Sequence, residues 1–373
     1  MIAKIVFFMM LTSFLLLTSS LMSQDVIKTL EIGEKAPDFM LMGIDEKTYS
    51  LKNFSQAHVL TIIFTANHCP TAQAYEDRII KLVDDYKDKG IAVVCISSNN
   101  PQALRLDEMG YTDLGDSMED MKIRSKDKGY NFPYLYDGDH QIAAKDYGAQ
   151  ATPHVFIFDK ERKLCYQGRF DDSEKIKNVT TSDTRNAIDA ILAGQKVAVQ
   201  KTKTFGCSIK WAYKKKSAED AVEKWNNEKV ELEMIDLDGV KDLIKNDSDK
   251  LRLINMWATW CGPCVTEFPQ LIEINRMYRN REFEMVTIST DDPSKTEQAL
   301  KFLERNYAST KNYLYSMQDK YKLIEIVDKE WPGAIPYTLL VKPGGEIIYR
   351  KLGMIDALEL KKAIVSYLGR YYR

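Results

Sequence analysis

Leu251-Arg252-Leu253-Ile254-Asn255-Met256-Trp257-Ala258-Thr259-Trp260-Cys261-Gly262-Pro263-Cys264 is the stretch that decides the fold. Leu251–Trp257 is a short, mostly apolar run, the pattern of a strand covered on both faces. It reaches two cysteines three apart, Cys261 and Cys264, and a helical stretch follows. A helix amino terminus offers unpaired N–H groups and the positive end of a dipole, and both stabilise a thiolate. Cysteines three apart at such an end lie one turn from each other, within bonding distance. Pro263 fits the first turn, where its missing N–H is no loss. Beyond lie strand Glu284–Ser289, the pair Ile335-Pro336, strands Thr338–Val341 and Glu346–Arg350 around Pro343-Gly344-Gly345, and helix Ala357–Leu368.

The first half of the chain repeats this order. Strand Val59–Thr65 reaches Cys69, and Ile79, Ile80, Leu82 and Val83 mark an amphipathic helix. Strand Ile91–Ser97 follows, then helical stretches over Pro101–Met109 and Gln141–Tyr147, then Thr152-Pro153. Strands Val155–Phe158 and Lys163–Gln167 flank Asp159-Lys160-Glu161-Arg162, and helix Ser182–Leu192 closes the half. The cysteine-to-proline spacing differs between the halves by one short insertion, so the chain is a duplicated α/β unit. A proline that opens a strand donates no hydrogen bond and leaves the backbone before it free to pair with an extended substrate. Pro153 and Pro336 are both expected in cis, each beside its cysteine site. Lys214-Lys215-Lys216 reads as a solvated linker between the halves.

Composition sets the limits. The chain has 373 residues, 45% hydrophobic and 28% charged, which suits two soluble globular domains and excludes a disordered or polytopic membrane protein. The net charge of −2 gives no field for nucleic acid, and four histidines do not suit a multi-histidine metal centre. Six cysteines are too few for a disulfide-stapled scaffold. Lys4, the apolar run Ile5–Leu17 and Thr18-Ser19-Ser20 have the pattern of a secretory signal over residues 1–23. An uncleaved anchor is the other reading, although the run is shorter than the ~20 residues a spanning helix needs. Either way the expectation is an exported protein, periplasmic or secreted.

Trp257-Ala258-Thr259-Trp260-Cys261-Gly262-Pro263-Cys264 resembles the active site of the thioredoxin superfamily, and more closely that of extracytoplasmic TlpA/ResA-type thiol-disulfide oxidoreductases. The resemblance runs from about Lys229 to the carboxyl terminus. It implies Cys261 as an exposed attacking thiolate and Cys264 as the resolving thiol. Thioredoxin carries a buried aspartate six residues before the first cysteine, where this chain has Asn255. The resemblance gives proton handling to Glu267 instead, followed by Phe268-Pro269 as in that group. It also makes Trp260, Ile335 and Pro336 the client-facing residues.

Phe64-Thr65-Ala66-Asn67-His68-Cys69-Pro70, Thr152-Pro153 and Gly206-Cys207-Ser208-Ile209-Lys210-Trp211 resemble the peroxiredoxin-like redoxins of AhpC/TSA type. That likeness covers about Gly33 to Trp211. The first site of those proteins usually reads Cys-Asn-His-Cys-Pro, so Ala66 stands where a nucleophile is expected and Cys69 falls one turn inside. Ala66 also lacks the hydroxyl that sits three residues before a peroxidatic cysteine. Cys69, Cys207 and Pro153 remain a candidate secondary redox site. Otherwise Cys69 is buried and inert and the half serves for docking. His68 is expected on an exposed loop, the other reading being that it lowers the Cys69 pKa or binds a metal, and Cys95 and Cys165 are expected in the core.

The expectation is therefore a signal peptide over 1–23 and two tandem thioredoxin-like domains, 33–212 and 213–373, each a central mixed β-sheet flanked by helices. The function expected is an extracytoplasmic disulfide reductase or isomerase working through Cys261 and Cys264, with no cofactor or metal beyond that redox-active disulfide. Its partners would be client proteins with disulfides or thiols and a membrane electron donor. Two other readings stand beside this one: a peptide- or partner-binding module with an accessory redox domain, and a thiol peroxidase.

Overall fold

A computed structural model describes residues 27–317 and 319–372. The signal expected over 1–23 lies outside them. In the first half β1 (Leu41–Gly43), β2 (Thr48–Tyr49) and β3 (Val59–Thr65) lead to helix α1 (Pro70–Tyr86) and β4 (Ile91–Ser97). Helix α2 (Met118–Lys128), β5 (Tyr134–Tyr136), α3 (Ile142–Tyr147), β6 (Ala151–Thr152), β7 (His154–Phe158) and β8 (Leu164–Gly168) come next. Helix α4 (Asp183–Leu192) and β9 (Cys207–Ser208) end this half. The second half runs α5 (Lys215–Asn226), β10 (Glu233–Ile235), α6 (Leu237–Lys245), β11 (Leu251–Trp257), α7 (Gly262–Tyr278) and β12 (Phe283–Ser289). It closes with α8 (Thr296–Arg305), β13 (Lys311–Tyr315), α9 (Lys320–Val327), β14 (Tyr337–Val341), β15 (Ile347–Leu352) and α10 (Ala357–Leu368).

Two sheets share one topology. The first is ordered β2-β1-β5-β4-β3-β7-β8 and the second β10-β13-β12-β11-β14-β15. In each, three central strands run parallel and then pair with an antiparallel hairpin, β7–β8 or β14–β15. The fold is mixed α/β, as a thioredoxin-like arrangement requires. Strands β3 and β11 are buried along their whole length, because helices cover both faces of each sheet. One core around Ile63, Tyr75 and Leu82 and another around Phe64, Phe156 and Tyr147 occupy the two faces of the first sheet. Clusters around Trp257 and Phe268 and around Met256 and Tyr337 do the same in the second.

Some elements differ from expectation. The helix expected over Pro101–Met109 is two short 3-10 turns, Pro101–Ala103 and Leu106–Glu108. Leu106 and Met109 pack against the core of the second half instead of closing a helical face of their own. Lys215 and Lys216 open helix α5 instead of forming a loop, since Ala218 and Trp225 give that segment a buried side. Helix α2 escapes an apolar-period reading because its buried positions are Met121 and Arg124. Arg124 bonds both Glu76 oxygens at 2.8 and 2.6 Å.

The halves also bind each other directly. Tyr278 donates to the Thr112 carbonyl at 2.7 Å, and Arg281 donates to the Gly110 carbonyl at 2.8 Å. The carboxyl-terminal tail crosses back to the first half, with Arg370 on Asp113 at 2.5 Å and the Tyr372 ring 4.9 Å from that of Tyr111.

Candidate dithiol site

Cys261 is the N-cap of α7, and its Sγ accepts the Cys264 backbone N–H at 3.3 Å. The two sulfurs are joined, with the Cα atoms 5.3 Å apart. Strand β11 delivers the chain to this point, and Asp291 ties down the intervening loop by accepting from the Thr259 N–H at 2.9 Å. Cys261 Sγ lies 3.6 Å from the Ile335 carbonyl oxygen, and the Ile335–Pro336 bond is cis. Cys261 is only 5% exposed, not open as expected, because the carbonyl before Pro336 and the bond to Cys264 cover it. Trp260 stands out beside it, 66% exposed.

Glu267, one turn beyond Cys264 on α7, is buried. Its Oε1 accepts from Asn255 Nδ2 at 3.0 Å and its Oε2 from the Ile355 N–H at 2.8 Å. Asn255 also donates to Thr338 Oγ1 at 3.0 Å, while its own Oδ1 has no partner. Burial pushes the Glu267 carboxyl above its ordinary value, more strongly than these two bonds pull it down. A carboxyl with a raised pKa, one turn from a thiol pair, is suited to passing a proton. Gly353 N–H bonds the Pro336 carbonyl at 2.9 Å, so exposed Leu352 and Met354 join Trp260 in an apolar rim.

The first half builds the same position around Cys69. Equal numbers of residues separate Thr65 from Cys69 and Trp257 from Cys261. Cys69 is thus the N-cap of α1, not a residue one turn inside, and its Sγ accepts from the Ala72 N–H at 3.4 Å. The expectation erred by placing the cysteine from motif spacing instead of from the end of its strand. Cys69 Sγ lies 3.2 Å from the Thr152 carbonyl oxygen, and the Thr152–Pro153 bond is also cis. Asp116 takes the part of Asp291, accepting from the Asn67 N–H at 2.7 Å.

His68 is buried instead of exposed, with Nδ1 2.5 Å from Asp116 Oδ2. Burial opposes its protonation, yet the Asp116 carboxylate outweighs that and raises its pKa. Cys207 comes alongside through the pairing of β6 with β9, Thr152 opposite Cys207. It packs against the buried cluster of Ala66, Cys69 and Ala72. Burial disfavours a Cys69 thiolate, but the neighbouring Cys207, the His68 charge and the Ala72 N–H outweigh it and bring the Cys69 pKa below its ordinary value. Cys69 and burial together hold the Cys207 thiol far above its ordinary value. Gly206 lets this happen: at φ +141° a Cβ there would meet the Thr152 carbonyl oxygen at 2.1 Å.

Asp116, Asp291 and Tyr372 have no local motif in the sequence, although the glycine before Cys207 was a legible sign of close backbone approach. Cys95 is fully buried as expected, but Cys165 is half-exposed, since it falls on the outward-turning register of β8. Among the described residues no group of three or more His, Cys, Asp or Glu side chains is placed to hold a metal ion. No helix among them is long and apolar enough to cross a membrane.

The AhpC/TSA family matches residues 32–167 and 231–350, more than half of the chain. The thiol-disulfide oxidoreductase ResA of Bacillus thuringiensis subsp. konkukian is 32% identical over 140 residues, 36% of this chain and 71% of that protein. ResA of Oceanobacillus iheyensis is 28% identical over 96 residues, 26% of this chain, and the match spans 45% of that relative's length. Among solved structures, a hypothetical protein of Sinorhizobium meliloti 1021 is 36% identical, with 50% of this chain and 97% of that one covered and a TM-score of 0.45. The chain belongs to the AhpC/TSA family and is a thiol-disulfide oxidoreductase.

Proposed function

We propose that the protein is an extracytoplasmic disulfide reductase made of two tandem thioredoxin-like domains, 33–212 and 213–373, the second of which carries the main dithiol. The observation that carries this reading is the Cys261–Cys264 pair at the start of α7, with Cys261 Sγ against the Ile335 carbonyl. In the reduced protein the Cys261 thiolate attacks a client disulfide, forming a mixed disulfide and releasing one client thiol. Cys264 then gives its proton to Glu267 and attacks Cys261 Sγ. The Cys261–Cys264 bond forms, the second client thiol leaves, and two electrons have passed to the client. Trp260, Ile335 and the apolar rim hold the client chain at Pro336. No cofactor beyond this dithiol takes part, and a membrane electron donor restores it.

The reducing direction is supported by the Cys-Gly-Pro-Cys loop, which is that of reducing thioredoxins. Cys264→Ser in the full chain tests the reading by trapping. Several clients held covalently at Cys261 are expected, and these should be released by dithiothreitol. A reduction potential nearer the ~−120 mV of strong oxidants than the ~−270 mV of thioredoxin would refute the reducing direction. Retention of a single partner through the first half alone, with no covalent capture, would favour a binding module.

A further inference from the structure

Four features that serve Cys261 recur at Cys69: the N-cap, the N–H three residues on, the carbonyl before a proline and the loop-anchoring aspartate. The partner sulfur does not. One turn along the helix, where the second half has Cys264, the first has Ala72. A sulfur nevertheless reaches Cys69 from elsewhere, because β9 sets Cys207 opposite Thr152 and packs it against the Cys69 cluster. The segment that carries Cys207 is firmly held. Lys210 N–H bonds Asn99 Oδ1 at 2.8 Å, and the Lys210 carbonyl accepts from Asn100 and Gln141 at 2.8 and 2.9 Å.

Over the pair lies the tail of the chain. Tyr372 comes beside Cys207, and burial with the charge of the cysteine pair lifts its phenol to about 12. Tyr371 and Tyr372 wall a cavity of about 470 Å³ with Ala74 and Arg78 of α1 and with Ile176. Arg370 anchors the tail on Asp113.

We propose that Cys69 and Cys207 form a second two-electron dithiol–disulfide centre, which reduces low-molecular-weight disulfides reaching it beside Tyr372, the tail residue that caps it. The Cys69 thiolate attacks one sulfur of such a disulfide. The substrate S–S bond breaks, Cys69 bonds that sulfur, and the other half leaves as a thiol. Cys207 gives up its proton and attacks Cys69 Sγ, so that a Cys69–Cys207 bond forms and the second half leaves as a thiol. Two electrons go from the protein dithiol to the substrate; the first product takes its proton from solvent and the second takes the one that Cys207 gives up. In this division of labour the buried His68–Asp116 pair is a positioning pair, which keeps a positive charge next to Cys69.

The test uses the full chain carrying Cys261→Ser and Cys264→Ser, so its outcome is independent of the first dithiol. Oxidised glutathione is the probe, and alkylation with peptide mass mapping the readout. Cys69 and Cys207 should lose alkylation together and appear in one cross-linked peptide. Cys207→Ser should stop the reaction at a lasting glutathione adduct on Cys69, and Tyr372→Ala should speed oxidation several-fold. If the double variant folds poorly, mapping of the unsubstituted chain answers the same question, since the two disulfide peptides differ in mass. Cys69 and Cys207 remaining separately alkylated at every glutathione ratio overturns the centre. An unchanged rate in Tyr372→Ala overturns the cap.

Discussion

Replacing Glu267 separates its chemistry from its packing. Its two oxygens each accept one buried hydrogen bond, from Asn255 Nδ2 and from the Ile355 N–H. Glutamine retains one oxygen for Ile355. Its amide nitrogen would face Asn255, whose Oδ1 has no partner, so turning the Asn255 amide over supplies an acceptor. Thr338 Oγ1 then donates where it had accepted. Glu267→Gln therefore keeps both bonds to residue 267 and removes the titrating proton, with Asn255 Nδ2 taking the unpartnered place of its Oδ1. The resolving step should slow by about 10²–10⁴, the usual contribution of a positioned general acid or base. Glu267→Ala instead strands two buried donors at about 1–3 kcal/mol each, a loss of about 2–6 kcal/mol before any cavity is counted.

The pH dependence carries a sign. The folded-state pKa of Glu267 is raised, so its contribution to stability is full below the unfolded value and is lost as pH rises through the folded one. Glu267→Gln, which never ionises, should match wild type at low pH and gain on it as pH rises. Urea unfolding of both proteins at several pH values reads the difference. Stopped-flow Trp260 fluorescence during client reduction reads the rate. Wild type should gain speed as Glu267 ionises, and the glutamine variant should lose that limb. An identical pH–rate profile in the two proteins would refute proton transfer by Glu267, and equal stability at every pH would refute its raised pKa.

Other outcomes follow from the same geometry. Arg124→Ala leaves the buried Glu76 carboxylate with only the Tyr130 hydroxyl at 2.8 Å and Lys128 at 3.9 Å, and should destabilise the chain by about 3–5 kcal/mol by urea unfolding, with Arg124→Met, Glu76→Leu recovering part of the loss. Gly206→Ala puts a Cβ 2.1 Å from the Thr152 carbonyl oxygen, so the β6–β9 pairing must part and glutathione must no longer link Cys69 to Cys207 in mass mapping. Asp116 has a lowered pKa, so its stabilisation is present above the unfolded carboxylate value and fades as pH falls through the folded one. Asp116→Asn should accordingly destabilise the protein most near neutral pH, and the Cys69 thiol pKa read by iodoacetamide kinetics should rise.

What could be read from the sequence was what local chemistry specifies. Strands β3, β4 and β11 and helix α10 match their expected limits, because fully buried strands and an amphipathic helix carry their pattern in consecutive residues. Cys261 and Cys264 meet by their spacing at one helix start, whereas Glu267 and Asn255 were singled out by the resemblance. Helix α2 hid because it buries a paired arginine where an apolar residue is the usual signal. Its Ser117–Asp120 capping box was the available sign of its start.

The Cys69 site shows where such reading stops. Its spacing to Ala66 suggested a dithiol that had lost its nucleophile, yet the end of β3 sets Cys69 itself at the helix start. What the helix lacks is the second sulfur, at Ala72. Cys207 lies more than a hundred residues away in sequence, and it arrives only because a glycine lets β9 run against the residue before Pro153. Asp116 and Tyr372 come from a loop and from the far end of the chain. None of these has a periodic neighbour to announce it. The two halves thus keep one backbone plan and differ in the source of the partner sulfur and in what covers it. The second sets its dithiol beside an exposed tryptophan, whereas the first sets its thiols beside the chain's own tail. An exposed ring at Trp260 suits extended protein clients, and whatever reaches Cys207 must pass Tyr372.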